Sequence, residues 1–334
     1  MLVRDMNIGK ILVVYKKARY DILMEHQEDK LTKKYLQNED NVRQLMQSRD
    51  DQNRMTEKVM NDLDAAGFQT TYLYRGGLNK DVVAQHDCVI TTGGDGTVLE
   101  ANSYSVDTPI MGINTDKRKV ANADFDSSEG FYCAMSQQDY NSVFKKFLEG
   151  DLEVSNLMRL EGEINGKKVK NRNNGLVHRV MNEISLGGRT AHSSANYVVR
   201  IGEYEEYQAS SGILIATPQQ SWAYWEMGDF QTLLPIDGNA FHIVARGLGP
   251  KQCHPHKKTK EFIIDSAEYV EVISKNPRTS LGFDGDYPDT KHQFGLDSVL
   301  KVYRSEQRSK IIGFDKEKRL WYLKKENQPI VRRF

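Results

Sequence analysis

The segment that most constrains this chain is Thr91-Thr92-Gly93-Gly94-Asp95-Gly96-Thr97, which follows the apolar run Cys88-Val89-Ile90 and precedes a stretch of helical character over residues 98–104. The order is strand, glycine turn, helix. Three glycines around one acid let the backbone turn sharply and approach a bulky anion, and the free N–H groups of a helix start add partial positive charge. Such a turn suits phosphate. The acid is the odd member, since a carboxylate repels phosphate unless a metal ion or a proton transfer gives it a task. Asp95 is therefore the first catalytic candidate, with simple capping of the following helix as the structural alternative.

The neighbouring segments put this turn in an α/β setting. Residues 11–15, Ile-Leu-Val-Val-Tyr, read as a buried parallel strand whose carboxyl end carries Lys16, Lys17 and Arg19. Residues 20–66 contain neither Pro nor Gly and repeat apolar positions with helical spacing, with a break expected at Asn38-Glu39-Asp40-Asn41 and a stop at Gly67. Further strands are expected over 69–74, 88–92 and 109–114, separated by helical stretches, which argues a doubly wound α/β domain. Its strand ends gather Lys16, Asp95 and Asn114. Beyond about residue 131 one more helix, 140–148, precedes closely spaced strand-like runs at 159–164, 168–170, 180–186, 197–201, 213–216, 241–245, 269–273 and 300–303, an all-β pattern with Asn165-Gly166 as a hairpin turn. The expected division is an α/β domain over 1–135, a β-rich domain over 136–314, and a tail over 315–334 that packs back on the first domain.

Length and charge narrow the classes. A chain of 334 residues suits two domains, and 46 basic against 46 acidic residues leave no strongly basic stripe for nucleic acid. No apolar run of 18 or more residues marks a membrane span. The odd, widely spaced Cys88, Cys133 and Cys253 suit a reducing cytoplasm rather than a disulfide framework. Cys253-His254-Pro255-His256 lacks the second ligand pair of a structural zinc site and reads as a turn.

Two segments add to the glycine turn. Asn182-Glu183 sits inside the strand-like run 180–186, where adjacent side chains face opposite sides and one polar group needs a partner. Residues 210–224 form a short buried strand opening into a polar, Pro-turned loop with an aromatic end, a loop able to hold a planar base or to serve as a surface turn.

Together these residues resemble the NAD kinase family. The Gly93-Gly94-Asp95-Gly96-Thr97 turn is also shared by diacylglycerol and sphingosine lipid kinases and, more distantly, by phosphofructokinases. The resemblance continues through Gly112-Ile113-Asn114-Thr115-Asp116 with Ser128-Glu129-Gly130, then Asn182-Glu183, residues 211–224, Pro255-His256 and Asp284-Gly285, and so covers most of the chain. Lys16 with Arg19-Tyr20, the long charged helical segment and Ser210-Ser211-Gly212 look like the branch typified by the mitochondrial NAD kinases. Lipid kinases share only the turn, so Asn182-Glu183 is the discriminating feature.

The resemblance implies a Rossmann-like N-terminal domain, a β-sandwich-like C-terminal domain and a dinucleotide site between them. It makes Asp95 the general base for 2′-phosphorylation of NAD, or of NADH, with Mg2+ accompanying ATP or polyphosphate as donor. Gly93, Gly94, Gly96, Thr97, Lys16 and Arg19 become the ATP- and phosphate-binding residues. Asp95, Gly96, Asn114, Asn182, Glu183, Ala223 and Tyr224 become the dinucleotide-binding residues, and no protein-held metal is expected. A homo-oligomer, dimer or tetramer, is implied. The departures are Gln220 in place of a glycine, Trp222 in place of a small hydroxyl residue, and an enlarged turn over 117–126. The shared glycine turn leaves a lipid kinase-like enzyme as one alternative, and Gln220 with Trp222 leaves a non-catalytic dinucleotide sensor as another.

Overall fold

The computed structural model describes residues 1–115, 130–171, 174–188, 190, 193–223, 230–248, 259–265, 267–285 and 294–316. In chain order the first elements are β1 (Lys10–Tyr15), α1 (Arg19–Glu25), α2 (Lys30–Leu36), α3 (Glu39–Ala65), β2 (Gln69–Tyr74), α4 (Lys80–Ala84), β3 (Cys88–Gly93), α5 (Asp95–Tyr104), β4 (Ile110–Asn114), β5 (Cys133–Ser136), α6 (Tyr140–Leu148) and β6 (Val154–Leu157). There follow β7 (Leu160–Ile164), β8 (Lys167–Lys168), β9 (Glu183–Gly187), β10 (Ala195–Ile201), β11 (Tyr204–Ser210), β12 (Gly212–Ala216), α7 (Pro218–Ala223), β13 (Phe241–Arg246), β14 (Glu261–Ile264), β15 (Tyr269–Ser274), β16 (Ser280–Phe283), β17 (Val299–Arg304) and β18 (Ser309–Ile312). The chain divides into a unit of Met1–Ser155 with Lys310–Asp315 and a second unit built on Asn156–Ser309.

In the first unit the sheet order is β2-β1-β3-β4-β18-β6, with β5 also beside β4. β1 pairs parallel with β2 and β3, and β4 pairs parallel with β3, β5 and β18. Successive strand residues point to opposite faces, and both faces are covered. Ile11, Val13, Ile90, Met111 and Ile113 share one core with Met55, Val59 and Leu63 of α3 and Tyr140, Phe144 and Phe147 of α6. On the other face Gly112 lies so close to α5 that a Cβ there would stand 2.7 Å from Val98 Cγ2. This is why the β1 and β3 runs are continuously apolar rather than alternating.

Sequence also accounts for the α3 boundaries. Asn38 Oδ1 accepts from the Asp40 and Asn41 amides, Glu39 and Asp40 occupy the positive end, and Gly67 at φ +81 follows the last turn. The expected break and stop fall at these positions. α6 explains why the first unit extends past residue 135. Its three buried aromatics belong to that unit's core, each contributing about 1.5–3 kcal/mol by burial, so the chain crosses to the second unit only at Ser155/Asn156.

The second unit is a sandwich of antiparallel sheets, ordered β11-β10-β15-β17-β7-β8 and β14-β13-β12-β9-β16. Leu160, Tyr197, Val199, Val270, Val272, Leu300 and Val302 of the first sheet share one core with Ile184, Leu186, Ile213, Ile215, Phe241, Ile243 and Phe283 of the second. The expected α/β plus all-β architecture is the one observed. The tail's expected packing falls, from residue 317 on, outside the described residues.

Candidate functional site

In the first unit the chain runs from β1 outward to β2 on one side and then to β3 on the other. The order therefore reverses between β1 and β3, and open α/β sheets hold ligands at the carboxyl ends of the strands at such a reversal. The register Tyr15↔Thr92 brings Lys16 and the glycine turn to that point side by side. Gly93 makes the turn possible by what it lacks, because a Cβ there would meet Thr97 Oγ1 at 2.3 Å and Lys16 Cδ at 3.4 Å. Gly96 is exposed with open space where a side chain would project, so a ligand can approach the start of α5 closely. Thr97 is 1% exposed. Its hydroxyl, with those of Thr91 and Thr115, is buried without a hydrogen-bond partner among the described residues. Gln52 Nε2 donates to the Lys16 carbonyl at 2.5 Å and fixes the end of β1.

Asp95 is the first residue of α5, preceded by Gly94 as a cap that makes no side-chain bond. The Asp95 carboxylate accepts from the backbone amides of Phe131 (3.0 Å) and Tyr132 (2.7 Å), so the acid is held in one orientation by two peptide dipoles. Asn114 ends β4 directly beside Gly93 in the register and is 2% exposed. Gly130 sits at φ +72 against it, where a Cβ would come within 2.7 Å of Asn114 Nδ2 and 3.1 Å of its Cβ. Gly130 thus lets the chain pass over Asn114 and deliver the next two amides to Asp95. Lys17 pairs with Glu25 at 2.6 Å, a hydrogen bond that raises its pKa, and lies over the Tyr74 ring. Arg19 opens α1 and is exposed, and no hydrogen bond or ion pair among the described residues ties it to the glycine turn.

In the second unit Asn182 and Glu183 are held from two sides. Asp284, at φ +48 in the turn after β16, accepts from the Met181 (2.9 Å) and Asn182 (2.6 Å) amides and returns its own N–H to the Glu183 carbonyl at 3.0 Å. From the opposite side Thr217 Oγ1 donates to the Met181 carbonyl at 2.6 Å, the Thr217 amide donates to the Asn182 carbonyl at 3.0 Å, and Gln219 Nε2 bridges the Met158 and Met181 carbonyls. These bonds commit the Asn182 amide and the Asn182 and Glu183 carbonyls, so the backbone of the pair is fixed. Burial, reinforced by the Asp284 charge and opposed by Arg246, pushes the Glu183 carboxyl up to about 8. Gln220 Nε2 donates to Glu183 Oε2 at 2.7 Å.

Three readings are revised here. Asn182 precedes β9 rather than lying within it, so the pair is a strand entrance, not two faces of a strand. The expected polar loop after β12 is helical, since α7 carries Gln219, Gln220 and Trp222. Gln220 is not among the described non-glycine residues with positive φ, so this backbone does not require the glycine expected there. The Trp222 indole N–H donates to the Leu234 carbonyl at 2.8 Å and anchors the helix. Ala223 is the last residue of α7. Tyr224, Asp116, Ser128-Glu129, the enlarged turn and Cys253-His254-Pro255-His256 lie outside the described residues. Among the described residues no group of three His, Cys, Asp or Glu side chains is placed to hold a metal ion. The Phe131 and Tyr132 amides were not identified as site-building groups from sequence, because main-chain donors leave no local pattern.

Comparison with known proteins supports the family resemblance. Residues 6–152 match the model of the ATP-NAD kinase N-terminal domain. An NAD kinase of Thermoplasma volcanium is 24% identical over 76% of this chain and 81% of its own length. A probable NADH kinase of Oryza sativa is 25% identical over 60% of this chain and 63% of its own. Among solved structures, an NAD kinase from Archaeoglobus fulgidus in complex with ATP matches with a TM-score of 0.60 at 17% identity, covering 94% of this chain and 96% of that one. Yeast NADH kinase complexed with NADH matches at 0.57 and 17%, covering 92% of this chain and 83% of that one. At these identities the structural likeness is one of fold.

Proposed function

Taking as premise that this chain resembles the NAD kinases and carries their N-terminal domain over residues 6–152, we propose that it is an NAD(H) kinase, transferring a phosphoryl group from Mg-ATP to the adenosine-ribose 2′-hydroxyl. The observation that carries the proposal is the oriented carboxylate of Asp95 in the glycine turn at the sheet's order reversal, a turn whose Gly93 lies against Lys16 and Thr97. Asp95 takes the 2′-hydroxyl proton as that oxygen attacks the γ-phosphorus. The bond to the β–γ bridging oxygen breaks, and ADP leaves with the electron pair. Positioning and charge neutralisation supply most of the acceleration in such a transfer. Lys16 places positive charge at the phosphates, and Gly93, Gly94 and Gly96 admit the anion to the backbone. Asn114 with Gly130 fixes the floor beneath it. Asn182 and Glu183 anchor the dinucleotide, with Ala223 at the end of α7 and Tyr224 beyond it. Magnesium arrives with the nucleotide, since it keeps phosphate oxygens and water as most of its shell.

The test is product formation by the purified chain from NAD or NADH, with Mg-ATP or polyphosphate as donor, read through an NADP-specific dehydrogenase. NADP(H) in any pairing supports the reading and identifies the substrates. Phosphorylation of diacylglycerol in micelles without NADP(H) would replace it with the lipid-kinase reading, and NAD binding without product would leave a sensor.

A further inference from the structure

We infer that Gln220 is a positioning residue for dinucleotide binding, holding the Glu183 carboxyl in the orientation that receives the ligand. The inference rests on the proposed kinase reading and concerns a position outside the glycine turn and outside the Asn182-Glu183 pair. The geometry carries it. Gln220 is 5% exposed and sits in the first turns of α7, which Thr217 and Gln219 tie to the Met181 and Asn182 carbonyls. Its Nε2 donates to one oxygen of Glu183 at 2.7 Å, while its own Oε1 is buried without a partner among the described residues.

A buried amide with one end committed and the other unsatisfied among the described residues is costly to keep for stability alone. The arrangement is economical if the Glu183 side chain must be held for a ligand. With one oxygen engaged by Gln220, the other is left to meet a donor or, when the carboxyl is protonated, to donate. The groups acting on Glu183 are Asp284, whose charge favours the protonated acid, Arg246, which favours the carboxylate, and Gln220, whose amide hydrogen bonds the carboxylate form. Removing the Gln220 donor therefore both frees the Glu183 rotamer and moves its titration upward.

The experiment compares wild type, Gln220→Met, which keeps length without the amide, and Gln220→Glu, which sets a second carboxyl beside the first. The readouts are KM for NAD and kcat from pH 6 to 9, NAD binding by calorimetry, and the urea midpoint of each variant. Expected for Gln220→Met is a rise in KM and in Kd for NAD on the order of ten-fold, the loss of one buried hydrogen bond, with kcat changed far less. The pH limb in kcat/KM for NAD should also move upward. Gln220→Glu should move the limb further. A Gln220→Met protein with the wild-type KM, Kd and pH limb overturns the inference, whether or not its urea midpoint falls. Its failure then stands apart from failure of the kinase reading, which would appear as a wild type that forms no NADP(H). A wild type that does not bind NAD removes both.

Discussion

Gly130 offers a worked test of how the first site is built, because the structure supplies its own control. Replacing Gly130 by Ala imposes two costs. A non-glycine residue at φ +72 costs about 1–2 kcal/mol, and the added Cβ falls 2.7 Å from Asn114 Nδ2 and 3.1 Å from its Cβ, an overpacking that adds about 1–3 kcal/mol against a buried side chain. Gly67 has nearly the same backbone, φ +81, but nothing within 4 Å of where its Cβ would go, so Gly67→Ala carries the conformational cost alone. Urea unfolding of the two variants should show Gly130→Ala the less stable by about 1–3 kcal/mol. Turnover separates them further. Relief of the clash displaces the Phe131 and Tyr132 amides from Asp95, so kcat for NADP(H) formation should fall at least ten-fold in Gly130→Ala and stay within two-fold of wild type in Gly67→Ala, as rough expectations from misplacing a catalytic group. Equal stabilities, or a Gly130→Ala enzyme with wild-type kcat, would refute the claim that this glycine delivers the amides.

Other perturbations test the remaining parts. Thr97→Val exchanges a buried hydroxyl without a partner among the described residues for a methyl of similar shape, so stability should hold or rise by up to about 1 kcal/mol while KM for ATP increases; a stability loss without any ATP effect would contradict the phosphate role. Stability against pH should pass through a maximum near pH 6.5. Burial lowers His178 and His242 to about 4, so both are neutral when folded and bind protons on unfolding, and stability drops as pH falls from 6.5 toward 4. Glu183, raised to about 8, holds its proton when folded, so its contribution is present below about pH 4.5 and is lost as pH rises through 8. Glu183→Gln should flatten the decline above pH 6.5 in urea midpoints, and a decline that persists in that variant would assign it to another group. Asp284→Ala leaves the Met181 and Asn182 amides without the Asp284 acceptor and should lower the unfolding free energy from urea titration by roughly 2–4 kcal/mol while raising KM for NAD; an unchanged KM would separate Asp284 from the dinucleotide site.

Much of the architecture was legible because the physics is local. The β1 and β3 runs are apolar on both faces, Asn38 caps and Gly67 ends α3, and Gly93-Gly94-Asp95 lies where a strand meets a helix. Each is a short-range pattern. What the sequence did not show depends on partners distant in the chain. The Phe131 and Tyr132 amides that hold the Asp95 carboxylate lie more than thirty positions from it in the chain. Residues 204–210 carry exposed Tyr204 and Tyr207, and form a strand only because they pair with β10 at the sheet edge. Asp284-Gly285 carried part of the resemblance, but the sequence did not show that the Asp284 carboxylate fastens the entrance of β9. Gln220 reads as a departure in sequence and as a partner of Glu183 in structure.

The central claim is that Asp95 acts as the base while other groups bind the substrates, and Asp95→Asn tests it most directly. The amide keeps the side chain's shape, but its single oxygen can accept from only one of the two backbone N–H groups, and its NH2 cannot take a proton. Single-turnover formation of NADP(H), measured beside NAD affinity by calorimetry, should show a rate reduced by about 100- to 10,000-fold with the NAD Kd within a few-fold of wild type. A single-turnover rate within ten-fold of wild type would remove Asp95 from the base role and contradict the account.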